Sequence, residues 1–174
     1  MAQASSARNS REHTKILVEG ALCLALSIVL SKLNLFVMPQ GGAVDCSLLP
    51  VMLFAYRHGV KWGLGAGALS GILRMIFGGY VYNPIQALLD YPLAFACTGL
   101  CAIAPKILGF ILAFVCHAFF SILSGVLFFA EYAPEGQNVI IYSIVYNLPY
   151  LTLKYVISGI LALIIWKSIQ KILP

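Results

Sequence analysis

Long apolar runs recur along almost the whole chain, and polar residues are confined to the short segments between them. Hydrophobic residues make up 61% of the sequence and charged residues only 10%, against roughly 25% charged residues in an average soluble domain. A soluble fold cannot bury so much apolar surface, whereas a bilayer can. Because hydrocarbon offers no partner to a backbone amide, such runs are expected to form helices. The chain is therefore predicted to be an all-α integral membrane protein.

The apolar runs predict a bundle of six transmembrane helices in one domain over residues 14–172, after a flexible cytoplasmic N-terminus over residues 1–13. The second run is short for a ~30 Å bilayer core, which needs ~20 residues, so this helix is expected to tilt or to cross only with its flanks. Pro84 suits the first position of the fourth helix. The spans are expected at about 14–33, 46–56, 60–78, 84–104, 107–129 and 139–166.

The basic residues predict the orientation of the bundle, because cytoplasmic segments carry an excess of Lys and Arg. With both termini in the cytoplasm, eight of the 11 basic residues lie inside, and the outer loops carry Asp45, Glu131 and Glu135 instead. Both termini are therefore predicted to be cytoplasmic. The eight are Arg8, Arg11, Lys15, Arg57, Lys61, Lys106, Lys167 and Lys171.

Several function classes are disfavoured by what the sequence contains. The basic residues are scattered at the ends of apolar runs, without the patch that nucleic-acid binding needs. Four of the five cysteines lie inside apolar runs and lack nearby histidine or cysteine partners, so they are expected to pack between helices. No phosphate-binding loop of the Gly-x-x-x-x-Gly-Lys-Ser/Thr kind is present. We therefore expect no enzyme activity, metal, cofactor or nucleic-acid partner.

Glycine recurs every fourth residue in the third span, at Gly59, Gly63, Gly67 and Gly71. Small residues at this spacing allow two helices to approach closely. We expect this face to pack inside the bundle.

Polar residues inside the spans indicate where a ligand could bind, because burying them in hydrocarbon is costly. Asp90 lies about two turns into the fourth span, and Ser143 and Asn147 share a face of the sixth, flanked by Tyr142 and Tyr146. A carboxylate, an amide and aromatic rings suit an aromatic, cationic small molecule. The alternative is that Asp90 forms a buried structural ion pair with Lys154 or Arg74.

Five segments, in order and with matching spacing, carry a more specific signal. The chain resembles the thiamine-specific substrate-binding subunits (S components) of energy-coupling factor (ECF) transporters, the ThiT family, over roughly residues 15–166. The segments are Met38-Pro39-Gln40-Gly41-Gly42 with Pro50, Arg57-x-Gly59-x-Lys61-x-Gly63, Gln86-x-x-Leu89-Asp90-Tyr91, Ser124-Gly125-x-x-Phe128-Phe129 with Ala133-Pro134-x-Gly136, and Tyr142-Ser143-x-x-Tyr146-Asn147.

The resemblance implies a six-helix fold with a thiamine pocket near the outer face, in a multi-pass protein of a bacterial plasma membrane. It also implies that Ala21 and Ala25 dock on the transmembrane coupling subunit, and that two ATPase subunits supply the energy. By resemblance, the substrate-binding positions are Asp45, Tyr80, Asp90, Tyr91, His117, Ser121, Gly125, Phe129, Tyr142, Ser143 and Asn147.

Two positions of the sequence, Ser121 and Lys154, depart from the family pattern. Ser121 stands where the family has a pocket histidine, and His117 lies one turn earlier. Lys154 stands where relatives have an acidic or neutral residue, and a lysine facing the pocket is expected to repel a cationic ligand.

Three other functions compete with thiamine capture. The first is an S component for a different vitamin or a thiamine precursor. The second is a self-sufficient secondary transporter driven by an ion gradient through Asp90, which the lack of an evident inverted repeat disfavours. A membrane-embedded enzyme is the least favoured, since no acid–base cluster is evident.

Overall fold

The computed structural model describes residues 2–39 and 41–172, so Gln40 of the first motif and Met1 lie outside the described residues. Each of the six predicted spans is helical, which confirms the predicted helical bundle. The fourth span runs over Pro84–Ala102 and is built from four short pieces. The helices are α1 (Ala2–Leu30), α2 (Leu48–His58), α3 (Val60–Ile76), α4 (Pro84–Leu88), a π-helical turn (Leu89–Leu93), α5 (Ala94–Ala96), a 3₁₀ turn (Cys97–Ala102), α6 (Lys106–Phe128), a 3₁₀ turn (Ala130–Tyr132) and α7 (Val139–Ile172).

Four helical segments of the described chain are long and apolar enough to cross a bilayer: Ser10–Leu30, Pro84–Ala102, Lys106–Phe128 and Val139–Lys171. The helices α2 and α3 are shorter, with 11 and 17 residues. Between them stands only Gly59, whose φ of +85° is strained for any residue with a side chain. The helix α1 begins at Ala2, well before the predicted span, and the flexibility of residues 1–13 stays a prediction.

A two-stranded antiparallel hairpin, which the sequence did not predict, lies between α1 and α2. Its strands are β1 (Phe36–Val37) and β2 (Ala43–Val44), and Phe36 pairs with Val44. The turn contains Gly41 and Gly42, both with positive φ, which explains why two adjacent glycines stand there. We call the bundle end that carries this hairpin the outer end, in keeping with the predicted orientation.

The glycine face of α3 packs directly on the backbone of the fourth span. A Cβ atom added to Gly63 would lie 2.9 Å from Cα of Gly99, and one added to Gly67 or Gly71 would overlap a backbone carbonyl. The predicted packing inside the bundle is therefore confirmed for Gly63, Gly67 and Gly71, whereas Gly59 precedes α3 and has no atom within 4 Å of its Cβ position. The contact fixes the fourth span, and Asp90 with it, against α3.

The outer end of the fourth span is shaped by a cap and a proline. Asn83 accepts a hydrogen bond from the backbone amide of Ile85 at 2.8 Å, and Pro84 takes the first helical position, as predicted. Pro92 lies inside the π-helical turn, where a regular α-helix would bring its ring against the carbonyl four residues earlier. The widened turn carries both Asp90 and Tyr91, and such turns are often found at functional sites.

Candidate functional site

A cavity of about 330 Å³ opens at the outer end, between the hairpin, α3, the fourth span, α6 and α7. Its size falls within the range of small-molecule sites. Ten of the 11 predicted substrate-binding residues line it, and Asp45 is the exception. The ten are Tyr80, Asp90, Tyr91, His117, Ser121, Gly125, Phe129, Tyr142, Ser143 and Asn147. Their contact with a substrate stays a prediction.

Asp90 is the carboxylate of the cavity wall. Its Oδ2 accepts a hydrogen bond from Nε2 of Gln86 at 2.6 Å, and no ion pair to Asp90 occurs among the described residues. Gln86 is itself fixed, because its Oε1 accepts from the backbone amide of Tyr82 at 3.0 Å. The carboxylate is therefore held in place by a neutral partner, and its negative charge is available to a cationic ligand.

Asp45 takes the cationic partners that the alternative interpretation had assigned to Asp90. Its Oδ2 lies 3.0 Å from Nζ of Lys154 and 3.1 Å from the Arg74 guanidinium, and its side chain is completely buried. Burial raises the pKa of this carboxyl group, but the charges of Lys154 and Arg74 and hydrogen bonds from Ser47 outweigh it, so the pKa falls to about 2. The structural ion pair thus exists, but it belongs to Asp45.

Asp45 also changes the interpretation of Lys154. The ammonium group of this lysine lines the cavity, as the sequence suggested, but it carries a salt bridge and is 3% exposed. Because the carboxylate of Asp45 neutralises the charge of Lys154, the expected repulsion of a cationic ligand is reduced. Asp45 does not line the cavity, and any direct contact between Asp45 and substrate stays a prediction that this geometry does not favour.

The helix α7 contributes two neighbouring rows of side chains. Ser143 and Asn147 form one row, in which Oγ of Ser143 donates to the carbonyl of Ile122 at 2.9 Å and Nδ2 of Asn147 donates to the carbonyl of Ser143 at 3.0 Å. The other row is Tyr142, Tyr146 and Tyr150, four residues apart, with successive ring centroids 6.0 and 6.4 Å apart. This helix therefore offers the cavity aromatic faces beside an amide.

Gly125 allows α6 and α7 to meet at the site. A Cβ atom at this position would collide with Oγ of Ser143, so only glycine permits this approach. Four residues later, the Phe129 ring lies 6.2 Å from the Tyr80 ring and 6.1 Å from the Tyr132 ring. These rings form an aromatic cluster that includes two cavity-lining residues.

Ser121, which departs from the family pattern, and His117 one turn earlier both line the cavity and are both buried. Nδ1 of His117 is 3.1 Å from the hydroxyl oxygen of Tyr155, and the His117 ring lies 5.0 Å from the Phe95 ring. The tether to Tyr155 fixes the orientation of the imidazole. Contact of either residue with a ligand stays a prediction.

The hairpin reaches α7 across the mouth of the cavity. The Tyr146 hydroxyl donates to the carbonyl of Gly41 at 2.9 Å, and Nζ of Lys154 lies 3.4 Å from the carbonyl of Ala43. Gly42 packs so tightly on the Tyr150 ring that an added Cβ atom would lie 2.8 Å from it. The hairpin therefore forms one wall of the site.

Sequence reasoning missed several lining residues. Gln86 and Gly42 stood within the recognised segments, and the regular spacing of Tyr150 after Tyr142 and Tyr146 was an available signal for a third ring. Phe95 carried no signal, because an isolated phenylalanine in an apolar span is indistinguishable from a lipid-facing one. In the structure the Arg74 guanidinium lies 4.9 Å from its ring centroid.

Outside the cavity, the described part of the chain holds one further charged cluster, in which Oε2 of Glu19 lies 3.0 Å from Nε of Arg57 and 2.7 Å from Nε2 of His58. No group of three His, Cys, Asp or Glu side chains is close enough there to hold a metal ion. Cys97 and Cys101 are buried in the bundle as free thiols, in keeping with a packing role.

The predicted docking residues Ala21 and Ala25 lie far from the cavity lining, on α1. Both are exposed, together with Leu22 and Leu26 on the same helix. These alanines therefore do not pack inside the bundle. Docking of a partner on this surface stays a prediction.

Comparison with known proteins assigns the chain to a defined family. The family described as "Thiamine transporter protein (Thia_YuaJ)" matches residues 17–174. The chain belongs to this thiamine transporter family. A relative from Bacillus subtilis, thiamine transporter ThiT, is 32% identical over 178 residues, which cover 90% of this chain and 93% of the relative.

Further relatives agree with this membership. Thiamine transporter ThiT of Lacticaseibacillus paracasei is 29% identical and covers 76% of this chain and 77% of its own. The solved structure of ThiT from Listeria monocytogenes has a TM-score of 0.81 at 27% identity, covering 92% of this chain and 97% of that one. A structure described as the S component of a bacterial ECF transporter has a TM-score of 0.66 at 18% identity, covering 92% and 98%, and so shares the fold. As a member of this transporter family, the chain is a multi-pass membrane protein.

Proposed function

We propose that the chain is the thiamine-capturing S component of an ECF uptake system in a bacterial plasma membrane. Asp90 carries the proposal, because its carboxylate lines the cavity without a cationic partner among the described residues. A quaternary nitrogen such as that of thiamine answers this charge. Family membership, the tyrosine row on α7 and the contact between the Phe129 and Tyr80 rings support the same ligand class.

The polar groups of α7 suit the rest of the ligand. Asn147 offers both a donor and an acceptor, and Ser143 and Tyr142 stand beside it. Each aromatic face can add roughly 0.5–2 kcal/mol of attraction for a cation. Asp90, Tyr91, Tyr80, Phe129 and Gly125 complete the proposed pocket, with His117 and Ser121 on its wall.

We assign capture to this chain and energy supply to partners. The exposed face of α1 around Ala21 and Ala25 is the proposed docking surface for the transmembrane coupling subunit, since small side chains let a partner helix approach. Two ATPase subunits hydrolyse ATP, and the chain itself has no enzymatic role. The bundle is proposed to lie with both termini in the cytoplasm, so that the cavity opens outside.

Two measurements on purified protein test the proposal. Thiamine titrated into the chain alone, in lipid nanodiscs, should bind without ATP. Uptake into proteoliposomes should require the coupling and ATPase subunits, and the chain alone should neither transport thiamine nor hydrolyse ATP. Uptake by the chain alone under an ion gradient would identify a secondary transporter, and binding of another vitamin in place of thiamine would identify a different S component.

Variants on α1 separate capture from delivery. Ala21→Trp or Ala25→Trp should abolish uptake in the complete system while thiamine binding stays unchanged, because the bulky ring blocks helix approach. Leu22→Trp on the same exposed helix tests whether any tryptophan there is harmful. Equal loss of binding and uptake in the alanine variants would contradict the docking surface.

A further inference from the structure

The cavity wall carries more positive than negative side chains, which should disfavour binding of a cation. Lys32, Arg74 and Lys154 line the cavity, against the single carboxylate of Asp90. Lys32 is exposed, and its ammonium group donates to the carbonyl of Phe77, so solvent screens it. Arg74 and Lys154 are not screened in this way, because 14% of the first side chain and 4% of the second are exposed.

Asp45 lies behind these two cations and contacts both. Its carboxylate is completely buried, bonds Lys154 at 3.0 Å and Arg74 at 3.1 Å, and accepts a hydrogen bond from the backbone amide of Ser47 at 2.8 Å. It does not line the cavity. Its geometry is that of a counter-ion to the wall.

The two cations are also held at a fixed place. The Arg74 guanidinium lies 4.9 Å and the Lys154 ammonium 5.5 Å from the centroid of the Phe95 ring. Aromatic faces attract cations, so Phe95, which also lines the cavity, and Asp45 together hold both charges at the wall.

We propose that Asp45 neutralises the positive charge of Lys154 and so allows the cavity to bind a cationic ligand. Asp45 does this without contacting the ligand itself. The proposal rests on the proposed function, since the cation in question is thiamine. With Asp45, the group of three carries one net positive charge. Without it the group carries two, and the guanidinium of Arg74 cannot lose its proton.

The test compares thiamine with its neutral isostere 3-deazathiamine, in which carbon replaces the quaternary nitrogen. The measured quantity is the affinity for thiamine divided by the affinity for 3-deazathiamine, determined by calorimetry with purified variants in nanodiscs. This quotient is called the ratio below. A loss of packing affects both ligands alike, whereas a change of charge affects only thiamine. The ratio therefore moves for an electrostatic role and not for a purely structural one.

Three variants change the net charge of the wall in known directions. Asp45→Asn should lower the ratio about tenfold, the effect of one unit charge at about 10 Å in a partly buried site. Lys154→Met should raise it, and the double variant should return it near the parent value. Glu135→Gln, which removes a carboxylate from an exposed loop, is the matched control and should leave the ratio unchanged.

Each result decides the proposal. If Asp45→Asn does not fold, Lys154→Met still tests it, because Asp45 and Arg74 remain paired there. A ratio that stays constant within twofold in both single variants, Asp45→Asn and Lys154→Met, would overturn the charge-neutralising role while leaving thiamine capture intact. Failure of the parent protein to bind thiamine would overturn the proposed function and this proposal with it.

Discussion

Replacing Asp90 by asparagine removes a negative charge from the cavity and keeps the size and shape of the side chain. The hydrogen bond from Gln86 survives, since the remaining carbonyl oxygen of the asparagine accepts it as the carboxylate does at 2.6 Å. The quaternary nitrogen of thiamine has no hydrogen to donate, so the interaction lost is charge attraction, and two opposite charges about 4 Å apart near a protein surface attract by up to about 4 kcal/mol. We therefore expect Asp90→Asn to cost about 2–4 kcal/mol of thiamine affinity, or roughly 30- to 1000-fold.

The stability of the ligand-free protein should respond in the opposite sense. Asp90 has no ion pair among the described residues, so the asparagine variant loses none and is relieved of part of a desolvation penalty. Its ligand-free melting temperature should be unchanged or higher. Asp45→Asn is the matched comparison, because breaking a buried pair costs about 3–5 kcal/mol and should lower that temperature.

Melting curves recorded with and without thiamine distinguish the two carboxylates. We expect Asp90→Asn to lose the ligand-induced rise in melting temperature and Asp45→Asn to show a lower starting point. A lowered ligand-free melting temperature in Asp90→Asn, with a normal response to thiamine, would refute the reasoning and make Asp90 structural.

Three further predictions concern the rim, the ion pair and the orientation. Phe129→Ala should weaken thiamine binding by roughly 0.5–2 kcal/mol through lost stacking, with Phe129→Trp neutral or better, and an alanine variant that titrates like the parent would place Phe129 outside the site. Because the pKa of Asp45 falls from 3.8 to about 2 on folding, this carboxylate contributes about 2 kcal/mol of stability above pH 4. That contribution is lost as the pH falls towards 2, so the stability gap between the parent and Asp45→Asn should narrow by about 2 kcal/mol there, and a constant gap would argue against the ion pair. In a cysteine-free background, an impermeant thiol reagent should label intact cells at Glu135→Cys and not at Lys171→Cys, and the reverse pattern would invert the bundle.

The helical framework was predictable because it depends on a property that every residue of a span shares. Apolar runs between polar breaks gave all six helices, and the glycine spacing of α3 gave its packing face. The ends were less certain, since α7 continues to Ile172 through a polar stretch with no proline or glycine to stop it. The hairpin was missed because two strands of two residues leave no periodicity, and only the glycine pair of its turn marks it.

The sequence allowed us to predict which residues line the cavity, but not which of them form ion pairs and hydrogen bonds with each other. Asp90 and Asn147 stood out because polar groups in apolar spans are rare. The pairing of Asp45 with Lys154 joins residues 109 positions apart, and charge alone permitted Asp90 as the partner equally well. Only the three-dimensional arrangement decided which carboxylate answers the lysine and which faces the cavity.

The contact between α3 and the fourth span has a consequence for how the site opens. With Gly67 and Gly71 against the carbonyls of Phe95 and Tyr91, the two backbones leave no layer of side chains between them that could slide or repack. Side-chain rearrangement is what allows packed helices to shift, so these two elements must travel as one body. The hairpin, joined to α7 by a few hydrogen bonds and a glycine, lacks that constraint. We therefore expect the wall formed by α3 and the fourth span, which carries Asp90, to stay in place during ligand entry and release, and the hairpin to be the element that moves.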